Sequence, residues 1–430
     1  MRPIISAVLL ALLASACRPQ APSAADPGPD APAAAALALE VEPWTLPAPQ
    51  GAAQPDLVAT NGGDLLLSWV VPEGEGHALA FSRHDRDGWQ PPGVIARGED
   101  WFVNWADTPH LMATADGALW AHWLQKSAAA TYAYDVALVR SGDGGTRWSE
   151  PVLVNDDGTP TEHGFASLWP ASDDSLGIAW LDGRETMAPE DGAAGQGGHA
   201  GHGEGAMTLR AARFDAALAR SDEQRLDAMV CDCCQTDVAR GGRGPLLVYR
   251  DRTPGEIRDI QVRRLEAGGW SQPAGVHADQ WRMPACPVNG PAIAADGDDA
   301  VVGWYTGADE MPTLKLARSA DAGASFQPPL TLDSGQHVQG RVDVAMDDES
   351  VWALWMREAG GTQSLELARY SRDLGRELHR IQVATLQGRG RGTGFPQLAV
   401  YDDVAHVVWT DLVDGQPRLL GARIRQVAKR

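Results

Sequence analysis

An apolar strand with an aromatic near its centre recurs seven times along the 430 residues, and this recurrence limits the fold more tightly than anything else in the chain. The copies are LLLSWVV (65–71), LWAHWLQ (119–125), LGIAWLDGR (176–184), LLVYRDR (246–252), AVVGWYTG (300–307), VWALWMRE (351–358) and AHVVWTDL (405–412). They follow one another at about 51–57 residues, except that a Gly/His-rich insertion at 188–206 lengthens the gap between the third and fourth. Each copy has a strand-like partner before it, as in PAIAADGDD, and after it, as in LKLARSADAG. Short strands at even spacing, one tryptophan-rich unit per period and almost no helical periodicity predict an all-β chain, a β-propeller of four-stranded blades. Seven blades are expected, or six if one unit is degenerate. The last unit (391–427) supplies three strands, and LALEVEPWTL (37–46) is placed to add the fourth and close the ring, which removes exposed edges.

The first residues have a different job. Arg2, an apolar run from Ile4 to Ala14 and small residues before Cys17 read as an export signal, too short for a stable membrane span. LLASAC resembles a bacterial lipoprotein box, which makes residues 1–17 the signal and Cys17 the lipidated first residue of the mature chain. Residues 18–36 form a Pro/Ala tether that buries no core, so a single propeller domain is expected over 37–427. The expected setting is the bacterial cell envelope, lipid-anchored and facing the periplasm or the surface. Arg18, where an aspartate would retain a lipoprotein in the inner membrane, favours the outer membrane. A net charge of -21 argues against nucleic acid and against membrane contact other than through the lipid. A monomer is expected.

Two turns carry one pattern. SGDGGTRW (141–148) and SADAGASF (319–326) fit Ser-x-Asp-x-Gly-x-x-aromatic, and SRDLG (371–375) is a partial copy. The Asp caps backbone donors of a tight hairpin, the Gly supplies a positive φ and the aromatic packs beneath. These turns look like the Asp-boxes of sialidase-like (BNR-repeat) propellers, in which they join strands three and four of a blade. The two-to-three turns and the between-blade loops then share the opposite face. That sorting gathers Asn104, Asp107, His163, Asp182, Arg184, Arg250, Asp251, Arg252, Arg258, Asn289, Arg341 and Arg357 around the mouth of the central channel. A lined concavity is the default site, and arginine forks suit carboxylate or phosphate groups.

The cysteines need separate treatment. VCDCCQTD places Cys231, Cys233 and Cys234 in one between-blade loop, and Cys286 lies 55 residues beyond Cys231, one period on. In an exported chain this favours two disulfides, with Cys286 bonded to one member of the cluster and the other two bonded to each other; the sequence does not fix the pairing. The alternative is a thiolate site for copper(I) or zinc, to which His199 and His202 of the insertion could contribute. No cofactor is required by the rest of the chain.

The stretches WFVNWAD, EHGF, WLDGR, CDCC, CPVNGP and SADAGASF together resemble the exported bacterial proteins of the sialidase-like (exo-α-sialidase) family, over roughly residues 56–427. The resemblance implies a propeller that binds a glycan or small anionic ligand at its mouth and, as an enzyme, acts as a glycoside hydrolase. That superfamily uses three arginines, an Asp acid and a Tyr nucleophile paired with a Glu base. Here no Arg-Ile-Pro motif opens the first blade, and only Tyr249 and Tyr305 are expected on the ligand side. If the chain is hydrolytic, Asp107, Asp182 and Asp251 are the acid/base candidates, with Asn104, His163, Arg184, Arg250, Arg252, Arg258, Asn289 and Arg341 as ligand-binding groups. Two other classes stay open: a non-catalytic binding or assembly lipoprotein, and a periplasmic copper- or zinc-binding protein.

Overall fold

The computed structural model describes residues 37–60, 62–187 and 205–428. The expected leader, tether and Cys17, and the His199 and His202 of the insertion, lie outside the described residues. The chain folds into seven antiparallel blades of four main strands each. The inner strands Ala53–Ala59, Leu111–Ala113, His163–Pro170, Asp237–Gly241, Ala292–Asp296, Val338–Met346 and Gln397–Tyr401 ring the central channel. The seventh blade is completed from the other end of the chain: Leu37–Trp44 pairs with the final strand Gln416–Ala428, from Leu37 opposite Ala428 to Trp44 opposite Gly421.

The recurring aromatic explains why the blades stack. Trp69, Trp123, Trp180, Tyr249, Trp304, Trp355 and Trp409 occupy matching places on the seven second strands, and all are buried. Each such ring removes about 150–250 Å² from water, which at about 25 cal/mol/Å² contributes roughly 4–6 kcal/mol before entropy. Their apolar neighbours form seven clusters among the described residues, each spanning one junction between adjacent blades. The core is therefore a ring of interfaces around an open axis.

Polar staples repeat with the same period. The Asp56 carboxylate accepts the Leu111 N–H at 2.7 Å, Asp107 that of Phe165 at 2.7 Å, Asp237 that of Ile293 at 2.8 Å and Asp343 that of Leu398 at 2.7 Å. In each case the N–H belongs to the following blade's inner strand, so buried carboxylates tie blade to blade. The Ser-x-Asp-x-Gly turns lie between third and fourth strands, as expected. The Asp143 carboxylate accepts the Arg147 N–H at 2.9 Å, and Asp321 accepts that of Ser325 at 2.9 Å. Two-to-three turns and between-blade loops share the other face.

Candidate functional site at the channel mouth

Three inner strands begin with a bulge on this face. Gln54, Phe165 and Arg341 have φ of 56°, 49° and 52°, a region that side-chain-bearing residues seldom adopt. Each bulge is held by a loop arriving from elsewhere. The Phe165 N–H is held by Asp107, the Arg341 N–H by the Asn289 side chain at 2.8 Å, and the Gln54 side chain donates to the Asn104 carbonyl at 2.6 Å. Over-determined backbone strain of this kind concentrates where a surface must be shaped accurately.

Beside the Phe165 bulge lies a compact acid–phenol cluster. Tyr134 opens the third strand of blade two and is fully buried; its Oη donates to Glu162 Oε1 at 2.6 Å and lies 3.4 Å from Asp107 Oδ2. Phe102 stacks on the Tyr134 ring at 4.2 Å and 10°, fixing its plane. Gly164 is required here, because a Cβ would overlap the Asp107 carboxylate. Burial pushes the Asp107 carboxyl up to about 7, against the pull of the Phe165 N–H and of His110. Burial also pushes Glu162 up to about 8; the phenol hydrogen bond opposes this, while the Asp107 and Asp232 charges add to it. Glu162 is the most exposed member of the cluster, being only half-buried where Tyr134 and Asp107 are buried. A carboxyl that keeps its proton near neutrality can donate it.

Next to it, Asp182 receives the Arg184 fork at 2.7 Å on both oxygens, and Arg184 also lies 3.4 Å from Asp157 and 3.3 Å from Glu223. His163, fully buried, has ring nitrogens 3.3 Å from Asp135 and 3.1 Å from Asp157. Burial lowers its pKa, but these carboxylates raise it to about 9. Although Asp157, His163 and Asp182 converge, Arg184 stands where a cation would, so this is a closed ion-pair network.

The arginines expected to hold a ligand divide into two kinds. Arg250 donates to the carbonyls of Asn289, Arg258 and Tyr305 at 2.6–3.1 Å and lies 4.9 Å over the Trp281 ring. Arg341 donates to Thr393 at 2.8 Å and to the carbonyls of Gly390 and Gly394 at 3.0 and 2.7 Å, with its guanidinium 4.9 Å from the Trp105 ring and 5.8 Å from that of Phe395. Both forks bind the scaffold, because bulged strands and turns present carbonyls to them. Arg252 joins Asp232 at 3.3 Å and Glu256 at 2.7 Å, nearer the surface. Burial raises Asp251 to about 6, with the Asp227 and Asp259 charges adding to it and hydrogen bonds from the Arg252 backbone and the Gln261 side chain opposing it. Asn104 and Asn289 are loop staples. Trp105, two residues from Asp107, stacks on Phe395 at 5.7 Å, with Arg341 4.9 Å and exposed Arg391 5.9 Å from its ring.

The cysteine cluster stands alongside. Cys231, Cys233 and Cys234 bring their sulfurs within 4.8 Å of one another, and Cys286 makes contact with Cys233. The expected disulfides are not present: all four are free thiols, with Cys231 and Cys234 sulfurs 2.8 Å apart in a thiol hydrogen bond. One period of separation did place Cys286 against the cluster, but adjacency is not bonding. Arg258, expected as a ligand group, instead donates to Cys231 Sγ at 3.3 Å and to Glu256 at 2.9 Å. Burial pushes the Cys231 thiol up, yet hydrogen bonds from its neighbours and the Arg258 and Arg250 charges bring it well below the ordinary thiol range.

Tyr134 and Glu162 were not among the expected site residues, and Tyr134 was expected away from the ligand side. It follows the two-to-three turn of blade two, so the sorting of turns by face, carried through SAAATYAY, would have found it.

No protein-family model matches the sequence, and no curated protein matches it. Solved structures do. The polysaccharide lyase Uly1 is similar over 89% of this chain and 91% of its own, at 9% identity and a TM-score of 0.52. A PL25 ulvan lyase is similar over 76% of this chain and 80% of its own (12% identity, TM-score 0.47). The K499G mutant of NanB sialidase from Streptococcus pneumoniae is similar over 92% and 95% (8% identity, TM-score 0.44). At 9% identity the likeness to Uly1 is one of fold.

Proposed function

We propose that the chain binds a glycan at the channel mouth and cleaves it, with Glu162 as the proton donor to the departing sugar oxygen. The observation that carries this reading is the Tyr134–Glu162 hydrogen bond of 2.6 Å at a carboxyl that burial pushes up to about 8. Glycosidic bond cleavage needs an acid matched to the working pH. Tyr134 is too buried to attack a substrate, so it and Asp107 act as positioning residues that orient and tune Glu162. Exposed Arg391, beside the Trp105–Phe395 stack, favours an anionic substituent on the sugar. That the similar propeller Uly1 is a polysaccharide lyase supports the substrate class. The leader-like residues 1–17 support an exported, lipid-anchored setting in which polymeric glycans are encountered.

The test is a panel of uronate-bearing, sulfated, sialylated and neutral glycans, read for new reducing ends and for the ultraviolet absorbance of unsaturated uronides. Release of reducing ends that falls at least ~100-fold in Glu162→Gln supports the proposal. Unsaturated products mark elimination, and their absence among released ends marks hydrolysis. A panel with no release by the wild-type protein overturns the reading.

A further inference from the structure

The glycan site leaves the cysteine nest unused. Three thiols from the four-residue stretch 231–234 converge with all sulfurs within 4.8 Å, and two of the three are fully buried. The loop that carries them is fixed before any ligand arrives: the Cys231 N–H donates to the Arg250 carbonyl at 3.0 Å, and the Val230 N–H to the Met207 carbonyl at 2.9 Å. Metal–thiolate bonds of about 2.3 Å in a trigonal plane set sulfurs roughly 4 Å apart, inside the span these three already occupy. The Cys231–Cys234 pair, at 2.8 Å, has to open.

We propose that Cys231, Cys233 and Cys234 form a trithiolate site for copper(I), with Cys286 as the exposed ligand through which the metal enters and leaves. Soft thiolates select copper(I) and zinc among the common cations. Structural zinc asks for four ligands in a closed tetrahedron, whereas exposed Cys286 touches Cys233 but stays outside the three sulfurs that all lie within 4.8 Å of one another, which suits an entry ligand and not a fourth wall. Three thiolates around a monovalent ion leave two negative charges. Arg258, donating to Cys231 at 3.3 Å and shared with Glu256 at 2.9 Å, and Arg250, whose carbonyl anchors the loop, place positive charge next to them. Binding exchanges the protons still on the thiols for the metal; no electron is transferred, because copper arrives already reduced.

The full chain, purified and kept under reductant without oxygen, is titrated with copper(I) and, separately, with zinc(II). Bound metal is measured after desalting against a copper(I) chelator. One equivalent of copper(I) per chain, held with a sulfur-to-copper charge-transfer band, is expected. Retention should fall at least 100-fold in Cys231→Ser/Cys234→Ser, and exchange with the chelator should slow in Cys286→Ser. Should the double variant fail to fold, the copper–sulfur distance and coordination number of the wild-type protein, from X-ray absorption, decide the matter; three sulfurs near 2.3 Å are expected. The proposal is overturned by retention of no copper, by tighter retention of zinc(II) than of copper(I), by copper retained equally in the double variant, or by a copper shell without sulfur.

Discussion

Tyr134 Oη donates to Glu162 Oε1 across 2.6 Å, joining the second blade to the third at the rim of the channel. The phenol stabilises the ionised carboxylate, so removing it moves Glu162 further from ionisation. Carbon-13 NMR of the glutamate carboxyls, with the Glu162 signal assigned by its loss in Glu162→Gln, should show a titration near pH 8 in the wild-type protein and at higher pH in Tyr134→Phe. A Glu162 that titrates below pH 5 would rule out a neutral-pH proton donor there.

Arg341 is a keystone and not a ligand clamp. Its four hydrogen-bonding contacts and two aromatic faces are all internal. Arg341→Ala leaves the Gly390 and Gly394 carbonyls and Thr393 without this donor and should destabilise by about 3 kcal/mol. Arg341→Lys should not restore it, since an ammonium cannot reproduce the fork. Arg252→Ala, at a half-buried surface pair, should cost about 1 kcal/mol or less. Urea denaturation of the three variants checks the order; equal costs for Arg341→Ala and Arg252→Ala would refute it.

Stability should decline in alkali. His163 is raised in the folded state to about 9, so its contribution is complete below the ordinary histidine pKa of about 6.5 and disappears as pH rises through 9. Asp343 is raised by burial to about 8, so the folded state resists its ionisation and loses stability as pH rises from about 4 to 8. Both act in the same direction. Melting temperature should therefore be higher at pH 6 than at pH 9.5, and His163→Gln should flatten the upper part of that decline. A melting temperature that rises between these two pH values is incompatible with this account.

The ring is closed by eight residues from the far end of the chain. Trp44, on the strand Leu37–Trp44, stacks on Trp89 at 4.9 Å and packs against His406 at 5.0 Å, bridging the first and last blades. Trp44→Ala should cost about 3–5 kcal/mol, and deleting residues 37–46 should expose the edge of the final strand and promote self-association. Calorimetry and light scattering read both effects. A deletion variant with an unchanged melting temperature would show that closure contributes nothing.

These residues also show what a sequence can reveal. The aromatic at each second strand is visible because burial between two blades demands one large ring per period, and the same demand exposes Leu37–Trp44 as the missing strand. The site was harder to read. Turn sorting gathered Asp107 and His163, both of which are buried, while Tyr134 and Glu162 meet only because the third strand of one blade faces the first of the next. Arg250 and Arg341 were read as ligand forks, since nothing in a sequence says which carbonyls a long side chain will find. The cysteines were correctly brought together by period, yet spacing carries no information on oxidation state.

The most direct measurement is the initial rate of reducing-end release against pH, for wild-type protein and Glu162→Gln, on whichever glycan of the panel is cleaved fastest. The account predicts a wild-type rate that falls with an apparent pKa near 8, as Glu162 loses its proton, and a variant at least ~100-fold slower throughout with an unchanged melting temperature. A folded Glu162→Gln protein that cleaves at the wild-type rate, or a wild-type protein that cleaves none of the glycans at any pH, would contradict it.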